Sequence, residues 1–222
     1  IEQGWYNERS DETVVLPGSM AGNNKGSEID LNTPWTGDIV DKSYFVEKRY
    51  EKYRKEGNIK IPFWLKPVKY YKGAAWYQKE VEVPEGWKDK RIVLFLERCH
   101  WESALFVNGL RAGTQNSLSV PHQYDISNLV KEGKNLISIR IDNRIIVPVG
   151  VNSHSISDHT QGNWNGIAGE IKLTAGPKVY IDEIRVFPLP DEKAADVTVR
   201  IVNGGMSELR GKLIIEVSGS SG

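Results

Sequence analysis

From Gly73 onward the sequence breaks into short apolar runs punctuated by turn residues, and this rhythm limits the fold more than any other feature. Strands of that length are stable only when several of them pair and bury a common face. Residues 76–83 set Tyr77, Val81 and Val83 on one side and Gln78, Glu80 and Glu82 on the other, until Pro84-Glu85-Gly86 ends the run. That is the alternation of a half-buried strand. Ile92-Val93-Leu94-Phe95-Leu96 has no polar alternation, as expected of a strand covered on both faces. Residues 103–107 lead into Asn108-Gly109, two residue types that accept the positive φ of a tight hairpin, and Leu110-Arg111-Ala112 returns from it. Residues 136–141 alternate Ile137, Ile139 and Ile141 with Ser138 and Arg140, and Ile171-Lys172-Leu173 closes the series. The expectation is an all-β, jelly-roll β-sandwich.

The flanks read differently. Residues 41–56, followed by Gly57, suggest a charged surface helix supported by the Glu51/Lys55 pair. Lys48, Arg49, Lys52, Arg54 and Lys55 interleave there with Tyr50 and Tyr53, but Glu47, Glu51 and Glu56 dilute them into a solvated face. After Gly176-Pro177, residues 179–187, 197–202 and 212–217 read as three strands separated by Pro188-Leu189-Pro190 and Asn203-Gly204-Gly205. A domain boundary is expected near Pro177, giving residues 1–177 and 178–222. Three strands cannot close a sandwich of about seven strands and ~100 residues, so the second domain is expected to be truncated.

The 222 residues carry 29 basic and 29 acidic side chains, a balance that disfavours nucleic-acid binding, which rests on excess Lys and Arg. No run approaches the roughly 18 apolar residues of a membrane helix, so no membrane partner is expected. Cys99 is the only cysteine, which excludes an intrachain disulfide and suits a buried thiol. The start has neither a basic nor an apolar leader segment and reads as processed or cut. No Asn-x-Ser/Thr acceptor occurs, which disfavours a eukaryotic secreted glycoprotein; the location is left open, with a bacterial periplasmic or secreted one expected over a cytoplasmic one. Gly-x-Ser-x-Gly, the P-loop and the dinucleotide fingerprint are all absent, so no cofactor is expected. His154, Asp158 and His159 are the one cluster with metal-ligand chemistry; their spacing fits no standard zinc motif, and a hydrogen-bonded loop without metal is expected.

Residues 152–169, NSHSISDHTQGNWNGIAG, form a long amide-rich connection between two strand-like segments. Gln161, Asn163 and Asn165 surround Trp164, a combination suited to a sugar: an aromatic ring for its C–H face and amides for its hydroxyls. The same residues would equally serve a structural loop whose amides satisfy its own backbone. Both readings stand on these residues alone.

Taken in order, Gly73-Ala74-Ala75-Trp76-Tyr77-Gln78-Lys79, Leu94-Phe95-Leu96-Glu97-Arg98, Phe106-Val107-Asn108-Gly109, Pro121-His122-Gln123-Tyr124-Asp125-Ile126, Ile139-Arg140-Ile141-Asp142-Asn143 and Asn163-Trp164-Asn165-Gly166-Ile167 resemble the N-terminal sugar-binding domain of glycoside hydrolase family 2. The likeness covers about residues 64–175 and extends more loosely to Leu16-Pro17-Gly18-Ser19-Met20. It implies a jelly roll followed by an immunoglobulin-like sandwich, whose opening strands residues 178–222 resemble, and then a (β/α)₈ barrel. A barrel needs about 250 residues and cannot fit in this chain. The family's activities include β-galactosidase, β-glucuronidase and β-mannosidase, and a β-galactosidase-like parent is expected. The resemblance places both catalytic glutamates in the barrel, so no catalytic residue is expected here and the chain alone should be inactive. It assigns the rim of the active site to the loop carrying Asn163, Trp164 and Asn165, with His154, Asp158 and His159 as supporting or second contacts. Well-known members carry an acid near Asn163 and then Gly-Ile-x-Arg, whereas this sequence has an amide and Gly166-Ile167-Ala168-Gly169. The implied partners are a β-linked oligosaccharide or glycoside, the downstream barrel of the same polypeptide and, in principle, further copies of the chain. Two rival readings are a freestanding carbohydrate-binding module and a purely structural or oligomer-forming sandwich.

Overall fold

The computed structural model describes residues 4–9, 11–29, 33, 43–58, 69–146, 150 and 163–218. Its strands, in chain order, are β1 (Gly18–Ser19), β2 (Ser27–Glu28), β3 (Lys69–Tyr70), β4 (Ala74–Val83), β5 (Arg91–Leu96), β6 (Cys99–His100), β7 (Glu102–Val107), β8 (Leu110–Gln115), β9 (His122–Asp125), β10 (Gly133–Asp142), β11 (Gly166–Ile167), β12 (Ile171–Gly176), β13 (Val179–Leu189) and β14 (Ala194–Asn203). By contact the chain divides into two compact units, Ile1–Lys88 with Ile92–Thr174, and Asp89–Arg91 with Ala175–Gly222.

The first unit is a β-sandwich. One sheet runs β4-β10-β7-β8, all antiparallel; β12-β5-β9 and β1-β11-β6 supply the strands opposite. Register explains the sequence pattern. Tyr77, Ile139, Leu105 and Gly113 lie abreast on the inner face of the four-stranded sheet, and Ala75, Ile141 and Ser103 form the next row. On β5 and β9 the pairs Leu94/Tyr124 and Leu96/His122 supply the opposing layer. Tyr77, Leu105, Ile139, Ile141, Leu94 and Leu96 are all buried, each aliphatic side chain contributing about 1.5–3 kcal/mol. Asn108 and Gly109 take φ values of 51° and 82°, the doubly positive turn that matches strand twist in a two-residue hairpin.

The two sheets are tied by a buried polar network. Ser103 on β7 has its hydroxyl 2.6 Å from both His122 Nδ1 and Tyr124 Oη on β9, and the Tyr124 hydroxyl donates to the Ser103 carbonyl at 2.9 Å. Burial pushes His122 below the ordinary histidine range, against a smaller upward pull from Ser117. Cys99 is a free, buried thiol that burial pushes up to about 12.

Two expectations are corrected. In place of a helix over residues 41–56, Ser43–Val46 make one α-turn, α1, and Lys48–Tyr53 a 3₁₀ segment. Glu47 between them is extended, with ψ at 138°, which interrupts the helix, and no residue of the 3₁₀ segment is fully buried. In the second unit β13 and β14 form an antiparallel ribbon, but residues 212–217 make no strand. Leu213, Ile215 and Val217 have the right alternation, yet alternation makes a strand only with a ladder partner, and these residues have none among the described residues.

Candidate functional site

The amide-rich connection re-enters the sandwich at residues 163–167. Short β11 is gripped from both sides, pairing with β1 and with β6. Gly166 allows this approach: a Cβ there would lie 2.2 Å from the Gly18 carbonyl oxygen. The Met20 N–H donates to the Asn165 carbonyl at 2.8 Å, extending the grip by one residue.

Asn165 is fully buried and its amide is fully used. Its Nδ2 donates to the carbonyls of Gly73 (2.8 Å) and Ile141 (2.9 Å), and its Oδ1 accepts from the Tyr77 hydroxyl (2.9 Å). Asn163, also buried, donates through Nδ2 to the Asn143 carbonyl (2.9 Å) and accepts from Asn143 Nδ2 (3.2 Å). Asn143 in turn donates to the Tyr71 carbonyl (2.8 Å) and accepts from the Gly73 N–H (2.7 Å). Three buried asparagines thus clamp residues 71–73, the end of β10 and the stem of the connection together. Burial pushes the phenols of Tyr71 and Tyr77 upward, so both remain hydrogen-bond donors.

The sequence led one to expect Asn163 and Asn165 to face a sugar; the structure buries both and engages their side chains with protein groups. Both donors of the Asn165 amide and its oxygen are taken by protein groups, while Asn163 is engaged by Asn143 through one Nδ2 hydrogen and its Oδ1. Trp164 lies between them on the opposite side of the chain, half-buried, with its ring centroid 4.7 Å from that of His100 at 31°. Next to His100, Trp101 donates from Nε1 to the Arg144 carbonyl (2.7 Å) and from its backbone N–H to the Asp142 carbonyl (3.2 Å). Arg144 grips the buried Asp142 carboxylate through Nε and Nη2. Burial opposes the charge on Asp142, but the hydrogen bonds and charge of Arg144 hold its carboxyl below the ordinary value. His154, Asp158 and His159 lie outside the described residues. Among the described residues no group of three or more His, Cys, Asp or Glu is arranged to hold a metal ion, and no helix is long and apolar enough to cross a membrane.

This geometry leaves the Trp164 ring partly accessible on a hydrogen-bonded stem. Residues 24–177 match the model for the glycosyl hydrolases family 2, sugar binding domain. The chain belongs to glycosyl hydrolase family 2. Curated relatives of the family 2 domain include human β-glucuronidase, 27% identical over 157 residues that cover 60% of this chain and 24% of the relative. Another is the β-galactosidase of Thermoanaerobacter pseudethanolicus, 24% identical over 155 residues, 68% of this chain and 20% of the relative. Most of the similar curated proteins are β-glucuronidases, and the chain spans between 17% and 28% of the length of those it matches. Among solved structures, Ruminococcus gnavus β-glucuronidase superposes with a TM-score of 0.57 at 17% identity, covering 92% of this chain and 31% of that one. A β-glucuronidase from an uncultured Clostridium species gives 0.56 at 20% identity over 90% of this chain and 30% of that one. Both likenesses concern the fold.

Within the family 2 domain, the residues that sequence reasoning missed are Asn143, Tyr77, Tyr71 and His100. Asn143 was visible as a polar residue closing an apolar strand, a place where an amide often satisfies a departing backbone. Nothing local marked Tyr77 as the partner of Asn165, since the two stand 88 residues apart.

Proposed function

We propose that this chain is the sugar-binding part of a retaining β-glycosidase whose preferred substrates are terminal β-glucuronides. Residues 1–177 are the jelly roll, and residues 178–222 are the opening strands of an immunoglobulin-like domain. Trp164 supplies an apolar face at the rim of the parent's active site, and His154, Asp158 and His159 provide polar contacts from the same connection. Asn163 and Asn165 act one step back, as the stem that aims the ring. The observation that carries the reading is the family match over residues 24–177 together with the preponderance of β-glucuronidases among the relatives. That preponderance moves the expected sugar from galactose to glucuronic acid; the β-galactosidase relative keeps galactose as the second reading.

The test uses the full-length parent with p-nitrophenyl β-glucuronide and β-galactoside. A kcat/KM at least tenfold higher on the glucuronide, about 1.4 kcal/mol of discrimination, supports the assignment. Higher efficiency on the galactoside selects the second reading. The 222-residue chain by itself should hydrolyse neither, because a retaining enzyme needs two carboxyls about 5–5.5 Å apart on a scaffold that the resemblance places in the barrel. Trp164→Ala in the parent should raise KM for both sugars.

A further inference from the structure

The outer face of the four-stranded sheet carries an aromatic patch that plays no part in the clamp. Trp76 and Phe106 flank β10 on that face, with ring centroids 5.6 Å apart, and Gln78 and Ser138 lie in register beside Phe106. Residues 4–9 lie across this patch. The Tyr6 ring stacks on Phe106 at 4.6 Å and 11°, and stands 6.2 Å from Trp76. Ser138 donates its hydroxyl to the Tyr6 carbonyl at 2.7 Å, and Gln78 donates to the Trp5 carbonyl at 3.1 Å. Asn7 packs against the β7–β8 turn so closely that a Cβ on Gly109 would come within 2.7 Å of its Oδ1.

How the segment is held is informative. No backbone-to-backbone hydrogen bond joins residues 4–9 to the sheet among the described residues. The segment's own bonds, Asn7 N–H to the Gly4 carbonyl and Glu8 N–H to the Trp5 carbonyl, close turns within it. The Arg9–Glu80 pair, at 3.8 Å and largely exposed, adds little. The sheet's side chains reach for carbonyl oxygens, which every residue has, so Tyr6 alone provides selectivity. Its stacking leaves Phe106 only 4% exposed although it sits on the outer face. The family match begins at residue 24, so this segment lies outside the matched domain.

We infer that the outer face of the β4-β10-β7-β8 sheet is a docking surface for an aromatic-bearing chain segment, and that residues 4–9 are its built-in occupant, latched by the Tyr6 ring. The surface recognises a flat ring flanked by two carbonyl acceptors, and does so without adding a strand to the sheet.

The test compares Tyr6→Ala, Tyr6→Leu and Tyr6→Phe in the 222-residue chain by hydrogen exchange at the Asn7 and Glu8 amides and by binding of an apolar dye. Tyr6→Ala should speed exchange at both amides by about tenfold or more while the β10 amides stay protected, and should raise dye binding. Tyr6→Phe should match the original chain, and Tyr6→Leu, which keeps apolar volume without the stack, should fall between. A synthetic peptide of residues 4–9 added to the Tyr6→Ala chain should reverse the dye binding, whereas the same peptide with alanine for tyrosine should not. The inference is overturned if Tyr6→Ala leaves exchange and dye binding unchanged, if Tyr6→Leu protects as fully as tyrosine, or if Tyr6→Ala exposes β10 as readily as the segment.

Discussion

An asparagine offers the same two donors and one acceptor group to a sugar hydroxyl as to a peptide carbonyl, and only its surroundings decide which it meets. That is why Asn163 and Asn165 were legible as important but not as inward-facing. The partners that claim Asn165, the Gly73 and Ile141 carbonyls and the Tyr77 hydroxyl, come from segments far away in the chain. Asn165→Ala should therefore act on stability: three buried polar groups lose their partner, at about 2–4 kcal/mol in all, and chemical denaturation should show the midpoint falling. An Asn165→Ala parent that keeps its stability but loses sugar affinity would restore the ligand-contact role. His122 gives a second residue-scale prediction. Its folded value is lowered by burial, so the folded state prefers the neutral ring. The associated stability is complete above the unfolded value of ~6.5 and is lost as pH falls through the lower folded value. Melting temperatures between about pH 7.5 and pH 5 should fall more steeply for the original chain than for His122→Gln. Parallel curves would remove His122 as the cause.

At the scale of elements, reading succeeded where a local rule governs and failed where a distant partner does. Asn108-Gly109 named its hairpin because the turn's φ values are a property of those two residues. The alternation on residues 76–83 and 136–141 located β4 and β10 because each puts its apolar side chains on the inner face, although Ser138 on the other face of β10 is buried as well. Residues 41–56 had helical charge spacing but are interrupted at the extended Glu47, and residues 212–217 had strand spacing but take no ladder partner among the described residues. Strands as short as β1, β6 and β11 leave almost no pattern to read; they persist because Gly166 lets one backbone lie on another. Gly166→Ala should push β1 away and cost about 1–3 kcal/mol, with the largest loss of hydrogen-exchange protection at the Met20 amide. If Met20 stays protected, the close contact is not what holds β11.

For the molecule as a whole, the second unit carries a consequence of its own. Ribbon β13–β14 places Ile181, Ile184, Val186, Val197, Val199 and Ile201 on one face by register, with the Glu183–Arg185 and Asp182–Arg200 ion pairs among its remaining side chains. Ile181, Ile184, Val186 and Ile201 are each more than half exposed, an apolar stripe from which association between copies of this chain is predicted. Sedimentation should detect concentration-dependent association, and Ile184→Glu with Ile201→Glu should abolish it at little cost to the melting temperature. Association that survives the double substitution would locate the contact elsewhere. The asparagine clamp has a different whole-chain consequence, one of timing. Three of its bonds span 20 or 24 residues, but those to Tyr71, Gly73 and Tyr77 join positions 70, 72, 88 and 92 residues apart, so the clamp is complete only once long loops have closed. The clamp around Trp164 is thus expected to be completed late, after the sheets have met. A weakened clamp should hasten unfolding while leaving the folding rate nearly unchanged. A newly made chain would present its ring only once the sandwich behind it is assembled, so the display of that ring reports that folding has finished.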